Sequence, residues 1–163
     1  MIEVRPAIEK DLQQILDIYN DAIVNTTAVF QYDVHTIEMR REWFAQKQKD
    51  RYPVFVAEEG DAVVGFSTFG PFRNWPGYKY TVEHSIYVKN GHRRKGIGSI
   101  LMRPLIDNAR ALRYHTIIAG IDADNTASIE FHRQFGFEQV AYFKEVGWKF
   151  GRWLNLVFMQ FIV

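Results

Sequence analysis

The alternation of apolar and polar residues divides the chain into helical and strand segments, with no internal repeat and no linker-like stretch. Apolar residues spaced three or four apart predict helices near 11–25, 36–49, 97–112 and 125–135. Alternating or β-branched runs predict strands near 2–5, 53–58, 62–69, 81–88, 116–121, 138–146 and 154–162. Asp11, followed three residues later by Gln14, predicts a capping box at the start of the first helix.

The order of these elements predicts the fold class. Strands joined by tight turns, such as Glu59-Gly60-Asp61, are mixed with one parallel crossover between strands 81–88 and 116–121. Such an order is typical of an α/β protein with a mixed sheet covered by helices. A chain of 163 residues with 47% hydrophobic content is expected to form a single domain over 1–163.

Composition narrows the classes of function. Lys and Arg number 20 against 19 Asp and Glu, so the net charge of +1 gives no general attraction to nucleic acid or to an anionic membrane. The absence of cysteine excludes disulfides, thiolate metal sites and a cysteine nucleophile, and the five histidines lack metal-ligand spacing. No signal peptide or long apolar run is found, so we expect a cytoplasmic protein with a small-molecule partner.

A basic turn containing two glycines, His-Arg-Arg-Lys-Gly-Ile-Gly-Ser over 92–99, separates the strand ending at Val88 from the long helix. Amides at a helix N-terminus converge on an anion, and Gly96 and Gly98 would let a phosphate approach the backbone closely. Two glycines alone are also typical of an ordinary loop. A P-loop would need Gly-Lys-Ser/Thr at the helix start, and a dinucleotide fingerprint would need glycine near Leu101, so neither pattern is met.

The segment Arg93 to Gly98 matches every fixed position of Gln/Arg-x-x-Gly-x-Gly/Ala, the acyl-coenzyme A signature of the GNAT superfamily of N-acetyltransferases, which the chain therefore resembles. The order of elements is similar, as are Asn125-x-x-Ser128 and Gly136-Phe137. This resemblance implies a mixed, mostly antiparallel central sheet that is splayed between the strands at 81–88 and 116–121 and flanked by helices on both faces. The phosphinothricin/methionine sulfoximine acetyltransferase branch is resembled more narrowly at Tyr19-Asn20-Asp21, Thr26-Thr27, Thr81 to Val88 and Lys149 to Trp153.

The resemblance implies acetyl-coenzyme A as co-substrate and no metal. Amides of the 94–99 turn would bind the pyrophosphate, and the backbone of 86–88 would pair with the pantetheine arm like an added strand. Asn125 would bond near the thioester, a role that is compatible with a plain helix N-cap. The residues expected to contact the cofactor are Ile86, Tyr87, Val88, Arg93, Arg94, Lys95, Gly96, Ile97, Gly98, Ser99, Asn125, Ser128 and His132.

Glu83 is the candidate general base. Amide formation needs a neutral amine, so a group must remove a proton before or during attack on the thioester. Burial in a mostly apolar strand should raise the pKa of the Glu83 carboxyl, whereas a structural pair with Arg73, Lys79 or a histidine is the alternative. His84 would point to the opposite face of a regular strand, so both side chains can line one pocket only if the strand contains a bulge.

His132 is the candidate general acid for the departing thiolate. Many members of the resembled superfamily use a tyrosine in the helix that follows the asparagine, but this chain has Phe131 and His132 there. A histidine can donate a proton or bond the cofactor, although a lone helical histidine is more often a packing or surface residue.

In the resembled branch the substrate is a small amino acid with an α-carboxylate and a second acidic or strongly polar end, which requires cationic anchors. Arg73 and Trp75, in the loop before the Glu83 strand, could provide a guanidinium fork and an aromatic wall, with Lys149 and Arg152 as further candidates. The candidate substrate-binding residues are Phe30, Arg73, Trp75, Glu83, His84 and Ser85.

These features predict direct acetyl transfer, in a ternary complex, to the α-amino group of an analogue such as phosphinothricin, methionine sulfoximine or methionine sulfone. The alternatives are an acetyltransferase of other small amines, polyamines or peptide N-termini, and a non-catalytic coenzyme A-binding module. Basic residues flanking Trp75 favour an anionic substrate over a polycation. The resemblance also implies a homodimer through the late strands, whose aromatic residues could instead be core.

Overall fold

The computed structural model describes all 163 residues and contains one seven-stranded sheet with four α-helices. The strands are β1 (Ile2–Pro6), β2 (Val54–Glu59), β3 (Ala62–Pro71), β4 (Thr81–Val88), β5 (Thr116–Asp122), β6 (Glu138–Lys149) and β7 (Arg152–Ile162). The helices are α1 (Leu12–Asn25), α2 (Ile37–Lys49), α3 (Ile97–Ala111) and α4 (Thr126–Gln134), with 3-10 turns at Glu9–Asp11 and Pro76–Tyr78. None of these helices is both long enough and apolar enough to cross a membrane.

The sheet has the order β1-β2-β3-β4-β5-β7-β6, in which β4 and β5 are the one parallel pair. They pair only over Thr81–Glu83 and Thr116–Ile118, although β4 continues to Val88 and β5 to Asp122. The sheet therefore opens into two halves after Glu83. This opening confirms the predicted splay, and the element order confirms the predicted mixed α/β fold.

Apolar side chains bury both faces of the first half of the sheet because successive residues of a strand point to opposite sides. On one face, α1 and α2 pack through a cluster that includes Ile15, Phe44, Val56 and Phe66. On the other face, α3 packs through Ala57, Val64, Ile97 and Leu101. Burial of each such aliphatic side chain contributes about 1.5–3 kcal/mol. The layer of α1 and α2 and the layer of α3 hold β4 between them.

The start of α1 shows that the predicted capping box is wrong. The Asp11 carboxylate accepts hydrogen bonds from the Ile8 amide at 2.9 Å and from the Arg5 guanidinium at 2.7 and 2.9 Å. The Gln14 side chain instead accepts a bond from the Val63 amide at 2.8 Å. The Asp11 carboxylate therefore closes the 3-10 turn before α1 and pairs with β1, whereas Gln14 bonds β3, a distant strand about which local spacing carries no information.

The C-terminal hairpin is longer than predicted, because β6 extends to Lys149 and β7 begins at Arg152. The two turn residues, Phe150 and Gly151, have φ values of 53° and 70°. Positive φ at both central residues is typical of the tight turns that match strand twist. The tip of this hairpin consequently lies close to the opening between β4 and β5. There the segment that follows α1 contacts the hairpin tip.

Candidate active site

The loop between β4 and α3 presents a row of unpaired backbone amides. No amide from Arg93 to Gly98 donates to a protein acceptor, whereas those of Ser99 and Ile100 donate to the Gly96 carbonyl at 3.1 and 3.2 Å. Arg94 and Gly96 have left-handed φ values of 63° and 77°, a conformation found in anion-binding nests. With exposed basic side chains around it, the loop has the hydrogen-bond donors and the charge to bind a pyrophosphate.

The second half of β4 has a free backbone edge. The Lys89 amide donates to the Val64 carbonyl at 2.9 Å, so antiparallel alternation directs the backbone of Tyr87 towards β3. The same alternation directs the amides and carbonyls of Ile86 and Val88 into the opening left by β5. An extended ligand arm can pair with this edge as an added strand. Two of the three residues predicted for that role thus present their backbone to the opening, and Tyr87 does not.

The helix α4 packs against the start of α3 through Phe131. Asn125 caps α4 by accepting a bond from the Ser128 amide at 3.1 Å, and its side-chain amide has no protein partner. The Phe131 ring lies 3.3 Å from where a Cβ on Gly98 would stand, so glycine at this position allows the two helices to approach. Asn125 and Ser128 stand at the N-terminal end of the same helix whose Phe131 contacts Gly98.

Glu83 lies where β4 and β5 separate, in a cleft of about 240 Å³. The cleft is lined by Thr27, Ala28, Phe30, Glu83, Gly120, Asp122, Leu156 and Phe158. A Cβ on Gly120 would lie only 3.2 Å from Glu83 Oε1, so the glycine leaves space for the carboxyl. Burial raises the pKa of Glu83, and the charge of Arg73 partly offsets this rise. A carboxyl in this state is suited to accept a proton from an amine.

His84 and His132 form a buried pair on the opposite face of the sheet. Their Nε2 atoms are 2.9 Å apart, and Nδ1 of His132 donates to the Ser128 carbonyl at 2.6 Å, so the Nε2 of His84 must be the donor within the pair. Burial lowers the pKa of His84 to about 3 and also lowers the pKa of His132. No bulge interrupts β4 at this point. The structure therefore does not bring His84 to the Glu83 cleft as a substrate contact. Since both ring nitrogens of His132 are engaged, its predicted role as the acid or as a cofactor contact is also unsupported.

The remaining substrate candidates lie on or near the Glu83 face. Phe30 lines the cleft, and Ser85 shares the face of β4 that bears Glu83. The Arg73 guanidinium stands 5.2 Å from the Phe72 ring and acts electrostatically on Glu83. Trp75 is 73% exposed and is not among the residues that line the cleft.

Lys149 and Arg152 do not act as free cations near the cleft. Lys149 is buried, and its Nζ donates to the carbonyls of Thr26 and Val29 at 2.7 Å each. Arg152 lies 3.5 Å from the Asp124 carboxylate. Lys149 and Arg152 are therefore both engaged in contacts within the protein.

Asp122 is a cleft residue that the sequence analysis missed. Its buried carboxylate accepts hydrogen bonds from the Thr27 hydroxyl and from the Asp124 amide. Strand alternation places Ile118, Gly120 and Asp122 on one face of β5, and Ile118 pairs with Glu83. The motifs did not reveal the register between β4 and β5. That register is the signal that would have identified Asp122 as a cleft residue. No group of three or more His, Asp or Glu side chains could hold a metal ion.

Comparison with known proteins extends over nearly the whole chain. Residues 4–158 match the acetyltransferase (GNAT) domain family. An L-methionine sulfoximine/L-methionine sulfone acetyltransferase of Salmonella typhimurium is 43% identical over 157 residues, which cover 96% of this chain and 92% of that protein. The crystal structure of ribosomal-protein-alanine N-acetyltransferase from Brucella melitensis is 45% identical, with a TM-score of 0.97 and coverage of 99% of both chains. A GNAT superfamily phosphinothricin acetyltransferase from Sinorhizobium meliloti, solved in complex with AcCoA, is 34% identical with a TM-score of 0.96 over 99% of this chain and 88% of that one.

Proposed function

This chain belongs to the GNAT acetyltransferase family, and we propose that it acetylates the α-amino group of a small amino acid analogue of the methionine sulfoximine, methionine sulfone or phosphinothricin type. One observation carries the proposal: the Glu83 carboxyl lines a cleft at the point where the free edge of β4 begins. The names of two relatives support the substrate class. Acetyl-coenzyme A is the co-substrate, and it supplies the acetyl group as an activated thioester.

The chain offers matching contacts for coenzyme A. We assign its phosphates to the unpaired amides and basic side chains of the 93–99 loop, and its extended arm to the backbone edge at Ile86 and Val88. Asn125, with an unpartnered side-chain amide, is assigned to the polar groups of the arm near its reactive end. The helix dipole of α3 adds positive potential at the phosphates.

Glu83 is assigned as the base that removes a proton from the substrate ammonium. Burial raises the pKa of its carboxyl and so brings the acid–base strength of Glu83 closer to that of an amine. The neutral amine then attacks the thioester carbonyl directly. The carbon–nitrogen bond forms, the carbon–sulfur bond breaks, and the nitrogen gives up its second proton to solvent. A thiol with an ordinary pKa of about 8.5 can leave as the thiolate and take its proton from water, so the engaged His132 is not required.

Arg73 and Phe30 are assigned to the rest of the substrate. The guanidinium acts on Glu83 from nearby, so it can pair with a carboxylate, sulfone or phosphinate oxygen of a molecule whose amine contacts Glu83. The Phe30 ring forms an apolar wall of the cleft and suits the methylene chain of such an analogue.

The test measures thiol release from acetyl-coenzyme A with methionine sulfone, phosphinothricin, a polyamine and a peptide with an N-terminal alanine. We expect release with the sulfone and phosphinothricin, and we expect Glu83→Gln to lower kcat by roughly 10²–10⁴-fold with unchanged coenzyme A affinity. Glu138→Gln, which alters an exposed glutamate, is the control. Release with the peptide or the polyamine alone would replace the substrate assignment, and cofactor binding without any turnover would favour a non-catalytic binding module. Full activity of Glu83→Gln would remove the base.

We further propose that residues 1–163 act as one N-acetyltransferase domain in the cytoplasm, as a homodimer. The continuous sheet and the family match over 4–158 support the single domain. Exposed Trp148, Phe150 and Trp153 at the hairpin tip support self-association, because clustered exposed apolar side chains are typical of interfaces. Light scattering should give twice the chain mass, and the mass of one chain would refute the dimer. Cell fractionation tests the location.

A further inference from the structure

A buried lysine at the tip of the C-terminal hairpin fastens the segment that forms one wall of the Glu83 cleft. Lys149 is 3% exposed, and lysine is almost never so buried without a partner. Its Nζ has no carboxylate nearby and donates to the carbonyls of Thr26 and Val29, each at 2.7 Å. Thr27 and Ala28, which line the cleft, lie between these two carbonyls. The ammonium thus holds the wall segment at both of its ends.

A second contact, between Gly147 and Phe30, fixes how far the wall segment reaches into the cleft. A Cβ on Gly147, two residues before the lysine, would lie 2.6 and 2.7 Å from Cε2 and Cδ2 of Phe30. Only glycine leaves space for the ring in this place. The same ring lines the cleft that contains Glu83. Residue 147 therefore supports the ring from behind, and any side chain there must displace it.

The hairpin tip also bonds the wall segment beyond Phe30. The Tyr32 hydroxyl donates to the carbonyl of Trp148, the residue between the glycine and the lysine. Three consecutive hairpin residues, 147–149, thus contact the segment 26–32 at four of its residues. Such a set of contacts leaves the wall little freedom to move independently of the hairpin.

We propose that Gly147 and Lys149 are positioning residues that hold Phe30 and thereby set the length of substrate side chain that the cleft accepts. This inference rests on the proposed function. Added bulk at residue 147 pushes the ring towards the cleft and shortens it, whereas loss of the Lys149 ammonium frees the wall and weakens binding of all substrates. Neither residue lies at the β4 edge or in the 93–99 loop, so coenzyme A affinity should stay unchanged.

The test for Gly147 compares two substrates that differ by one methylene, S-methylcysteine sulfone and methionine sulfone. Gly147→Ala should lower the ratio of kcat/KM for methionine sulfone over the shorter sulfone by about tenfold, mainly through KM, since one methylene in a fitted pocket changes kcat/KM by about 10- to 200-fold. Combining it with Phe30→Ala removes the displaced ring and should abolish that change. Gly77→Ala is the matched control, because its added Cβ would meet nothing within 4 Å.

The test for Lys149 uses Lys149→Met, which keeps the length of the side chain, beside Lys144→Met on an exposed residue of the same hairpin. KM for both sulfones should rise several-fold in the first variant only, with a smaller change in kcat and unchanged affinity for coenzyme A. Loss of coenzyme A binding by Lys149→Met would show a general structural role and overturn its positioning role.

Two results would overturn the role of Gly147: an unchanged substrate ratio in Gly147→Ala, or a changed ratio that persists when Phe30 is also replaced. A wild-type chain that acetylates neither the sulfones nor phosphinothricin would refute the proposed function itself. A chain that acetylates both, with variants that leave the ratio and KM untouched, would refute only this inference.

Discussion

Replacing Gly120 by alanine should slow acetyl transfer by displacing the Glu83 carboxyl. The added Cβ would lie 3.2 Å from Glu83 Oε1, 3.4 Å from Cε1 of Phe158 and 3.7 Å from Cδ1 of Leu156. Ordinary contacts between heavy atoms begin near about 3.5 Å, so the carboxyl must retreat by about 0.3 Å. The nearest atoms of Phe158 and Leu156, at 3.4 and 3.7 Å, stand at ordinary contact distances. The carboxyl is therefore the group that moves.

The size of the effect follows from this displacement. A misplacement of about 1 Å can cost roughly 100-fold in rate, and functional groups are held within about 0.5 Å of their productive geometry. A shift of about 0.3 Å then predicts a fall in kcat of roughly 3- to 10-fold, or about 0.7–1.4 kcal/mol in the barrier. The methyl group also excludes water from the carboxyl, which raises the pKa of Glu83 further. Because Glu83 must be deprotonated to serve as the proposed base, the acid limb of kcat/KM should move to higher pH.

The assay is thiol release at saturating acetyl-coenzyme A across a pH series, with coenzyme A affinity measured by calorimetry. Gly77→Ala serves as the control because it adds a methyl group in open space. Wild-type kcat and an unmoved acid limb in Gly120→Ala would refute the reasoning, since the carboxyl would then not be the group on which transfer depends.

Three further predictions concern Arg73, the cofactor loop and the histidine pair. Arg73→Gln removes the charge that lowers the pKa of Glu83, so the acid limb of kcat/KM should move to higher pH; a limb that moves down contradicts the assignment. Gly96→Ala puts a Cβ on a residue with φ of 77°, which costs about 1–2 kcal/mol, so calorimetry should show about 5- to 30-fold weaker coenzyme A binding. His84 has a pKa of about 3 when folded against 6.5 as its ordinary value, so the unfolded chain takes up the proton first as the pH falls. The free energy of unfolding should therefore be level above pH 6.5 and fall towards pH 3, by up to about 1.4 kcal/mol per pH unit. Urea titration of a His84→Leu/His132→Leu double variant should give a shallower slope below pH 6.5 than the wild-type chain, because the contribution of the pair is removed, and an unchanged slope would refute the role of the pair.

The local residue pattern was sufficient to predict most of the helices and strands and the basic loop between β4 and α3. The period-two alternation of 81–88 matched β4 to the residue, because half-buried strands must alternate, and it correctly set Glu83 and His84 on opposite faces. Gly96 and Gly98 predicted a loop whose backbone an anion can approach, and Gly96 has a left-handed φ of 77°, which glycine adopts readily. The unpaired amides at the start of α3 follow from helix geometry alone, so a sequence motif can specify them.

Contacts between distant segments could not be predicted in this way. The family resemblance suggested that His132 acts as the acid or contacts the cofactor, but its partner is His84, 48 residues away and on the buried face of β4. The sequence likewise suggested that Lys149 could be a cationic anchor for the substrate. Its ammonium instead donates hydrogen bonds to carbonyls more than 100 residues earlier in the chain. Asp122 joins the cleft only because β5 lies beside β4 in a particular register.

There is a physical reason why local features could be predicted from the sequence and contacts between distant segments could not. Strand and helix periodicity, turn glycines and helix termini depend on a few neighbouring residues, so the sequence by itself determined the strands and helices of the mixed sheet and the basic, glycine-containing loop after β4, whereas the splay of the sheet was implied by the family resemblance. The partner of a buried polar group depends on which segments pack together, and every such group must be satisfied by whatever lies next to it. Tertiary structure alone therefore decided that Glu83 stands in a cleft walled by Phe30, and that the hairpin tip with Gly147 and Lys149 holds that wall in place.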